Sequence, residues 1–382
     1  MSAPVRVPLS DLHVDEELLE AASEAIASGW WSMGPRVESF ERAFAEYIGS
    51  AHALAVANGT AALHLALLGV GCGPGDEVVL PSLNFVAAAN AVHHTGALPV
   101  FCDVLGDGDL NLDVYDLERA LTPRTKAIVA LHYGGYPCDM ESLLELARGR
   151  GLAVVEDAAH APGSCLGGRF CGTFGAAGCF SFFSNKNMPL GEGGMLVTND
   201  DVLAERFRLL RSHGMTTLTW DRHRGHAHSY DVVLPGFNYR LDEIRAAIGI
   251  VQLGRLQEEN EARGRAVRRY VRELHGKGGL TVPFAERIGE GQERCAHHLA
   301  VLLLAPGTER EALRAELRER GIQTSVHYPP IHAFTAYASR STRVLPKTEA
   351  LAERLVTLPL FGRMSEEQLG HVIDSVLSLA GR

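Results

Sequence analysis

The chain has 382 residues, of which 46% are hydrophobic and 21% charged, and its formal net charge is −10 with histidine neutral. This length suggests two domains, or one large domain with an appendage. No apolar run approaches the roughly 20 residues that cross a bilayer, and the acidic balance argues against general binding to nucleic acid or to an anionic membrane.

The start of the sequence and its cysteines bear on the compartment. The first residues lack the charged start and continuous apolar stretch of a signal peptide. The seven cysteines are odd in number and form no CxxC pair, which argues against a disulfide framework. We therefore expect a cytoplasmic protein.

Seven short segments rich in Val, Ile, Leu or Phe are predicted strands. They are 51–58, 76–81, 97–104, 125–133, 152–157, 179–183 and 194–199. Helical patterns follow Gly59, Asn84 and Asp139, and each is closed by a glycine. This alternation predicts an α/β fold with a mostly parallel sheet covered on both faces, and ligands beyond the carboxyl ends of its strands.

The pattern changes near residue 251. A long charged helix is predicted at 252–276, followed by a strand at 297–305 and helices at 309–321 and 366–380. We predict a large domain at 1–250, which includes an N-terminal helix, and a small α+β domain at 251–382.

The first strand leads directly into a helix through Asn58, Gly59 and Thr60. Free backbone N–H groups of Gly59, Thr60 and Ala61, with the positive end of the helix dipole behind them, suit a phosphate. An ordinary N-cap, served by Asn58 or Thr60, is the alternative interpretation.

Asp157 ends the segment 152–157, which is predicted to be a buried central strand. A carboxylate there is costly unless it faces a cation or accepts strong hydrogen bonds. A cap on the next helix is the alternative. His160, three residues on, fits a structural histidine when considered alone.

Lys186 follows the predicted strand 179–183, and Ser181 precedes it by five residues. Apolar neighbours would lower the pKa of a lysine amine and suit it to Schiff-base chemistry, although most loop lysines are solvated. A phosphate-binding helix start, a buried carboxylate and such an amine are together what pyridoxal 5′-phosphate requires. Phe85, after the strand 76–81, could supply an aromatic neighbour for its ring.

The sequence resembles the DegT/DnrJ/EryC1/StrS family of sugar aminotransferases along nearly its whole length. The matching segments are 28–41, 58–67, 80–92, 98–104, 155–163, 180–199, 234–249, 326–332 and 358–361. The resemblance implies a fold-type I, aspartate aminotransferase-like architecture. It also implies a homodimer with active sites at the subunit interface.

The resemblance assigns roles residue by residue. Lys186 matches the lysine that binds the cofactor's aldehyde, and Asp157 matches the carboxylate paired with its pyridine nitrogen. His160 stands near the ring hydroxyl, and Phe85 stacks on the ring.

The same comparison covers the phosphate and the substrate. Gly59, Thr60 and Ser181 match the phosphate cradle, and Asn238 matches an asparagine that reaches the phosphate from the neighbouring subunit. His327 and Tyr328 border the sugar site, although a packing role fits both equally well. Asn84 stands where many members have Thr, a departure expected to affect the sugar side and not the cofactor.

Because Lys186 is present, the resemblance implies transfer of an amino group from L-glutamate to a nucleotide-linked keto sugar. Glu192, within 186–194, resembles members that aminate C4, so a dTDP-linked 4-keto-6-deoxyhexose is preferred. GDP- or UDP-linked sugars, the C3 position and a keto-inositol stay open. An inactive regulatory homologue is disfavoured by the complete set of Lys186, Asp157 and Ser181.

His223, His226 and His228 lie in a histidine-rich segment. Metal binding is one interpretation. No Cys or second His cluster completes a site, so we expect a basic loop near the active-site mouth that could meet the diphosphate, and no metal.

Overall fold

The computed structural model describes residues 4–217, 220, 229–288, 293–339 and 343–380. Within these ranges no helix combines the length and the apolar character needed to cross a membrane. The strands are β1 His52–Val56, β2 Glu77–Pro81, β3 Leu98–Cys102, β4 Val104–Gly106, β5 Asp109–Leu112, β6 Thr125–Leu131, β7 Ala153–Asp157, β8 Cys165–Leu166, β9 Arg169–Phe170, β10 Ala177–Ser181, β11 Gly194–Thr198, β12 Ala300–Leu303 and β13 Leu355–Leu358.

The α-helices follow the same chain order. They are α1 Glu16–Ala27, α2 Pro35–Ile48, α3 Gly59–Gly69, α4 Ala87–His94, α5 Val114–Ala120, α6 Met140–Arg150, α7 Asp201–Arg211, α8 Glu243–Leu274, α9 Arg310–Glu319, α10 Thr335–Ala338, α11 Pro346–Arg354 and α12 Glu366–Ala380.

A seven-stranded sheet with the order β1-β11-β10-β7-β6-β2-β3 forms the centre of the larger part of the molecule. Its members correspond to the seven predicted strands. β11 pairs antiparallel with β1 and β10, and the remaining neighbours pair in parallel. The predicted mostly parallel α/β sheet is therefore confirmed.

Helices cover both faces of this sheet because alternate residues of each strand point to opposite sides. On β1, Leu54 packs into the core that includes α3, α4 and α7, whereas Ala55 packs into the core that includes α2 and α8. On β6, Val129 faces the first core and Ile128 faces α5 and α6. The two faces of the sheet are therefore covered by separate apolar cores.

The long helix α8 begins nine residues before its predicted start at 252. Asp242 caps it by accepting a hydrogen bond from the backbone N–H of Arg245 at 2.9 Å, a start signal that the apolar pattern did not reveal. The first half of α8 packs in the core with α2, and its second half packs against β12, β13, α9 and α12. The helix thus runs through the proposed boundary at 250/251.

The core formed by β12, β13, α9, α12 and the second half of α8 also contains Val7, which pairs with Ile322 in a short parallel bridge. The segment around Val7 therefore packs with the C-terminal unit, although it precedes the large sheet in sequence. The division into 1–250 and 251–382 stays a prediction.

Candidate active site

A cavity of about 400 Å³ opens at the carboxyl end of the central sheet. The ends of β1, β2, β7 and β10 meet at this edge because those strands run in parallel. Nine residues predicted for the site line the cavity: Gly59, Thr60, Phe85, Asp157, His160, Ser181, Lys186, His327 and Tyr328. Ala61 and Asn238 are not among its lining residues.

The start of α3 lies directly against the end of β10. A Cβ added to Gly59 would stand 2.9 Å from Ser181 Cβ, so this close approach requires glycine. The first N–H groups of a helix have no intrahelical acceptor, which leaves those of Gly59 and Thr60 available to an anion beside the Ser181 hydroxyl.

Ala61 differs from the expectation. Its backbone N–H donates to Asn58 Oδ1 at 2.8 Å, because Asn58 caps the helix. The N–H of Ala61 therefore serves the cap, and the cap leaves the N–H groups of Gly59 and Thr60 to an anion.

Asp157 ends β7 with only 4% of its surface exposed. It accepts hydrogen bonds from Asn84 Nδ2 and from the backbone N–H of Ala159, each at 3.3 Å. Burial raises the pKa of Asp157, while these hydrogen bonds and the charge of Lys186 oppose the rise. A carboxylate in this position is prepared to meet a cationic ring nitrogen.

The departure at Asn84 was expected to leave the cofactor in place and to affect the sugar side. Its side chain contacts Asp157, and its Oδ1 accepts a hydrogen bond from the backbone N–H of Phe85 at 2.6 Å. That hydrogen bond turns the amide Nδ2 towards the carboxylate.

Lys186 lies in the turn after β10, where its backbone N–H donates to the carbonyl of Phe183 at 2.8 Å. Burial lowers the pKa of the Lys186 amine to about 8, and the charge of Asp157 opposes this effect. A sizeable fraction of the amine is then neutral near pH 8, as a nucleophile requires. The amine nitrogen stands 3.4 Å from Nε2 of His298, a residue that the sequence interpretation placed in a plain strand.

His160 is held in one tautomer. The backbone N–H of Gly134 donates to His160 Nδ1 at 3.3 Å, so the proton is on Nε2, which donates to the Tyr328 hydroxyl at 2.8 Å. Burial lowers the pKa of His160 and keeps the ring neutral. This hydrogen bond joins Tyr328, which was expected beside the sugar, to His160, which was expected beside the cofactor.

Phe85 and His327 form part of the cavity wall. Phe85 is 55% exposed, and its ring lies 5.8 Å from the Tyr328 ring, measured between centroids. His327 lines the cavity, and its Nδ1 lies 3.0 Å from Thr357 Oγ1. His327 thus contacts β13 on one side and borders the cavity on the other.

Asn238 is exposed, and its backbone forms an antiparallel bridge with Ser212. The histidine-rich segment with His223, His226 and His228 lies outside the described residues, so its expected role stays a prediction. No cluster of three or more His, Cys, Asp or Glu side chains able to hold a metal occurs among residues that the structure describes.

The cavity residues fit pyridoxal 5′-phosphate. The helix start beside Ser181 suits a phosphate, the buried Asp157 suits a protonated pyridine nitrogen, and Lys186 supplies an amine of lowered pKa. The three groups line one cavity.

Comparison with known proteins identifies one family model and several relatives that cover nearly the whole chain. The model of the DegT/DnrJ/EryC1/StrS aminotransferase family matches residues 13–377. The spore coat polysaccharide biosynthesis protein SpsC of Bacillus subtilis is 40% identical over 381 residues, which cover 98% of this chain and 96% of that protein.

Two solved structures share the fold over nearly their whole length. DesV of S. venezuelae, crystallised with a ketimine intermediate, superposes with a TM-score of 0.90 at 37% identity and covers 100% of both chains. PseC of Helicobacter pylori, an aminotransferase involved in the biosynthesis of pseudoaminic acid, gives a TM-score of 0.89 at 30% identity. It covers 97% of this chain and 98% of its own.

Proposed function

Since this chain belongs to the DegT/DnrJ/EryC1/StrS aminotransferase family, we propose that it transfers the amino group of L-glutamate to C4 of a dTDP-linked 4-keto-6-deoxyhexose. The enzyme class is a sugar aminotransferase, and the cofactor of the family is pyridoxal 5′-phosphate. The donor, the nucleotide and the ring position are the proposal.

The position of Glu192 in the cavity is the observation that supports the choice of C4. Glu192 lines the cavity together with Phe85 and Tyr328, and a carboxylate at that wall can accept hydrogen bonds from sugar hydroxyls. The same residue distinguished the C4 pattern in the sequence.

The cofactor, when bound, supplies an electrophilic aldehyde and a ring that accepts the electrons released at the donor's Cα. Gly59, Thr60 and Ser181 would hold its phosphate, and Asp157 would hold the proton on its pyridine nitrogen. The Nε2–H of His160 donates a hydrogen bond to the Tyr328 hydroxyl and so holds that hydroxyl at the cavity wall.

Lys186 would do the proton chemistry. With its pKa lowered to about 8, Nζ can remove the proton from the donor's Cα and return a proton to the sugar carbon that receives nitrogen. Phe85, His160 and Tyr328 line the same cavity as that nitrogen.

The active assembly is proposed to be a homodimer in which Asn238 serves the neighbour's phosphate site. This is supported by the position of Asn238, which is exposed and does not line the cavity of its own chain. We also propose a cytoplasmic location, in keeping with seven free thiols.

The test separates donor from acceptor. The holoenzyme is treated with L-glutamate, the donor is removed, and nucleotide-linked 4-keto and 3-keto 6-deoxyhexoses are added separately while the cofactor's visible absorption is followed. Its return with the 4-keto sugar alone is expected. Its return with the 3-keto sugar alone, or with neither after a proven glutamate reaction, would overturn the proposed substrate, and the second outcome would favour a keto-inositol.

A further inference from the structure

We infer that His298 is a positioning residue for Lys186, whose free amine donates a hydrogen bond to the neutral imidazole between the two halves of the reaction. The inference rests on the proposed aminotransferase role of Lys186. It assigns a function to a residue that neither the sequence pattern nor the cofactor geometry singles out.

Lys186 and the next residue, Asn187, hold His298 from its two ring nitrogens. Lys186 Nζ lies 3.4 Å from Nε2, and Asn187 Oδ1 lies 2.9 Å from Nδ1. An amide oxygen only accepts, so Nδ1 carries the ring proton and Nε2 offers its lone pair to the amine.

The orientation of the Asn187 amide is itself determined. Its Nδ2 donates to Asn260 Oδ1 at 2.7 Å and to the carbonyl of Ala296 at 2.6 Å. Turning the amide over would place its oxygen against two acceptors. Asn260 Nδ2 in turn donates to the carbonyl of Pro162 at 2.8 Å, so the chain of hydrogen bonds ends on the backbone. The tautomer of His298 is therefore fixed by groups that do not titrate.

Asp157, His160, His298 and His327 interact electrostatically with the amine, Arg263 lies behind His298, and Glu192 and Tyr328 line the same cavity. Burial lowers the pKa of all three histidines, and the positive charge of Lys186 lowers each further. The rings of His160 and His298 lie 4.6 Å apart, so protonating either would add a charge beside the other. His298 thus stays a neutral acceptor and not a competing base.

A neutral acceptor suits an amine that must leave and return in every turnover. A carboxylate in this position would bind the ammonium strongly and favour the charged form, whereas an imidazole limits the rotamers of the lysine and still allows it to lose a proton. Because Asn187 is the residue after Lys186, the turn that carries the amine also holds the ring of His298, the acceptor, in place.

The experiment compares His298→Phe, which keeps a ring but has no acceptor, with His298→Gln, whose Oε1 can replace Nε2. Each protein is loaded with pyridoxamine 5′-phosphate, which leaves the Lys186 amine free without any donor or sugar. Acetylation of Lys186 by acetic anhydride is measured against pH by mass spectrometry, with the exposed Lys277 as internal reference.

Loss of a neutral acceptor removes an interaction that favours the ammonium, so the midpoint for Lys186 should fall by about one pH unit in His298→Phe and recover in His298→Gln. An unchanged midpoint in His298→Phe, or an equal fall in both variants, would overturn the inference. If the phenylalanine variant does not fold, Asn187→Leu, which frees the tautomer, should lower the midpoint in the same direction, and no shift there overturns it. Failure of the proposed sugar substrate would leave this readout unaffected.

Discussion

Asn84 Nδ2 donates a hydrogen bond to Asp157 Oδ2 at 3.3 Å. The bond joins the turn after β2 to the end of β7, and it opposes the rise in the Asp157 pKa that burial causes. An uncharged amide thus favours the ionised carboxylate without adding a charge to the cavity.

Asn84→Leu removes this donor and should raise the pKa of Asp157 further. Cofactor affinity is expected to fall by about 5- to 10-fold, and more steeply towards acidic pH because fewer molecules carry the ionised carboxylate. The measurement is the dissociation constant of pyridoxal 5′-phosphate as a function of pH. Asn84→Thr, which keeps a hydroxyl donor, is the control. A leucine variant that binds the cofactor like the parent across the range would contradict the assignment.

Lys186→Ala should reduce turnover by a factor of about 10³ or more, because the side chain is proposed to act as both the nucleophile and the proton carrier. Steady-state assays with glutamate and the keto sugar measure the loss. Lys277→Ala, on the surface, controls for the change of residue type. Appreciable turnover by the Lys186 variant would show that another group does the chemistry.

The stability of the apoenzyme should depend on pH through Lys186. Its folded pKa of about 8 is below the ordinary value of 10.5, so the unfolded chain binds the proton more tightly. The cost of the buried ammonium is therefore full below pH 8 and disappears as pH rises towards 10.5.

The variant Lys186→Met has no ammonium at this position and so lacks the free-energy cost of burying one. The free energy of unfolding of the parent, relative to that of this variant, should rise by up to about 3 kcal/mol between neutral pH and pH 10.5. Urea unfolding at the two pH values gives the difference, and Lys277→Met should show none. A parallel pH dependence of parent and Lys186→Met would mean that the amine titrates normally.

Gly59→Ala places a Cβ 2.9 Å from Ser181 Cβ and should move the helix start away from β10. Overpacking of this kind costs about 1 to 3 kcal/mol, so cofactor affinity should fall by about 10-fold or more. Gly254→Ala is a matched control, since a Cβ there meets nothing within 4 Å. Equal affinities of the two variants, determined by fluorescence titration with the cofactor, would contradict the proposed role of Gly59 in binding the phosphate.

Mixing two impaired homodimers tests the shared site. If Asn238 serves the neighbour, a hybrid of Lys186→Ala and Asn238→Leu subunits contains one site with both parent residues, and random exchange restores about a quarter of the sites. If Asn238 acts within its own chain, no activity returns on mixing. Subunit exchange is verified with a mass-tagged subunit.

The sequence alone was sufficient for the large architecture. All seven strands of the central sheet were predicted, because buried strands are continuous apolar runs and three of the helices between them are closed by a glycine. The start of α8 was missed, since its first turns are defined by the Asp242 cap and by packing against α2. Ala61 was assigned a free N–H because the pattern cannot show whether Asn58 turns its side chain into the helix.

Residue types at strand ends therefore determined which groups reach the cavity: the helix start at Gly59, the carboxylate of Asp157 and the amine of Lys186. Only the tertiary structure decided which side chains stand behind them, because Asn84 and His298 are 73 and 112 residues away in sequence from the groups they contact. A local pattern records burial and backbone propensity. Hydrogen bonds between distant segments depend on how sheet, turns and the C-terminal unit pack, and these bonds set the tautomers and the pKa values on which the chemistry depends.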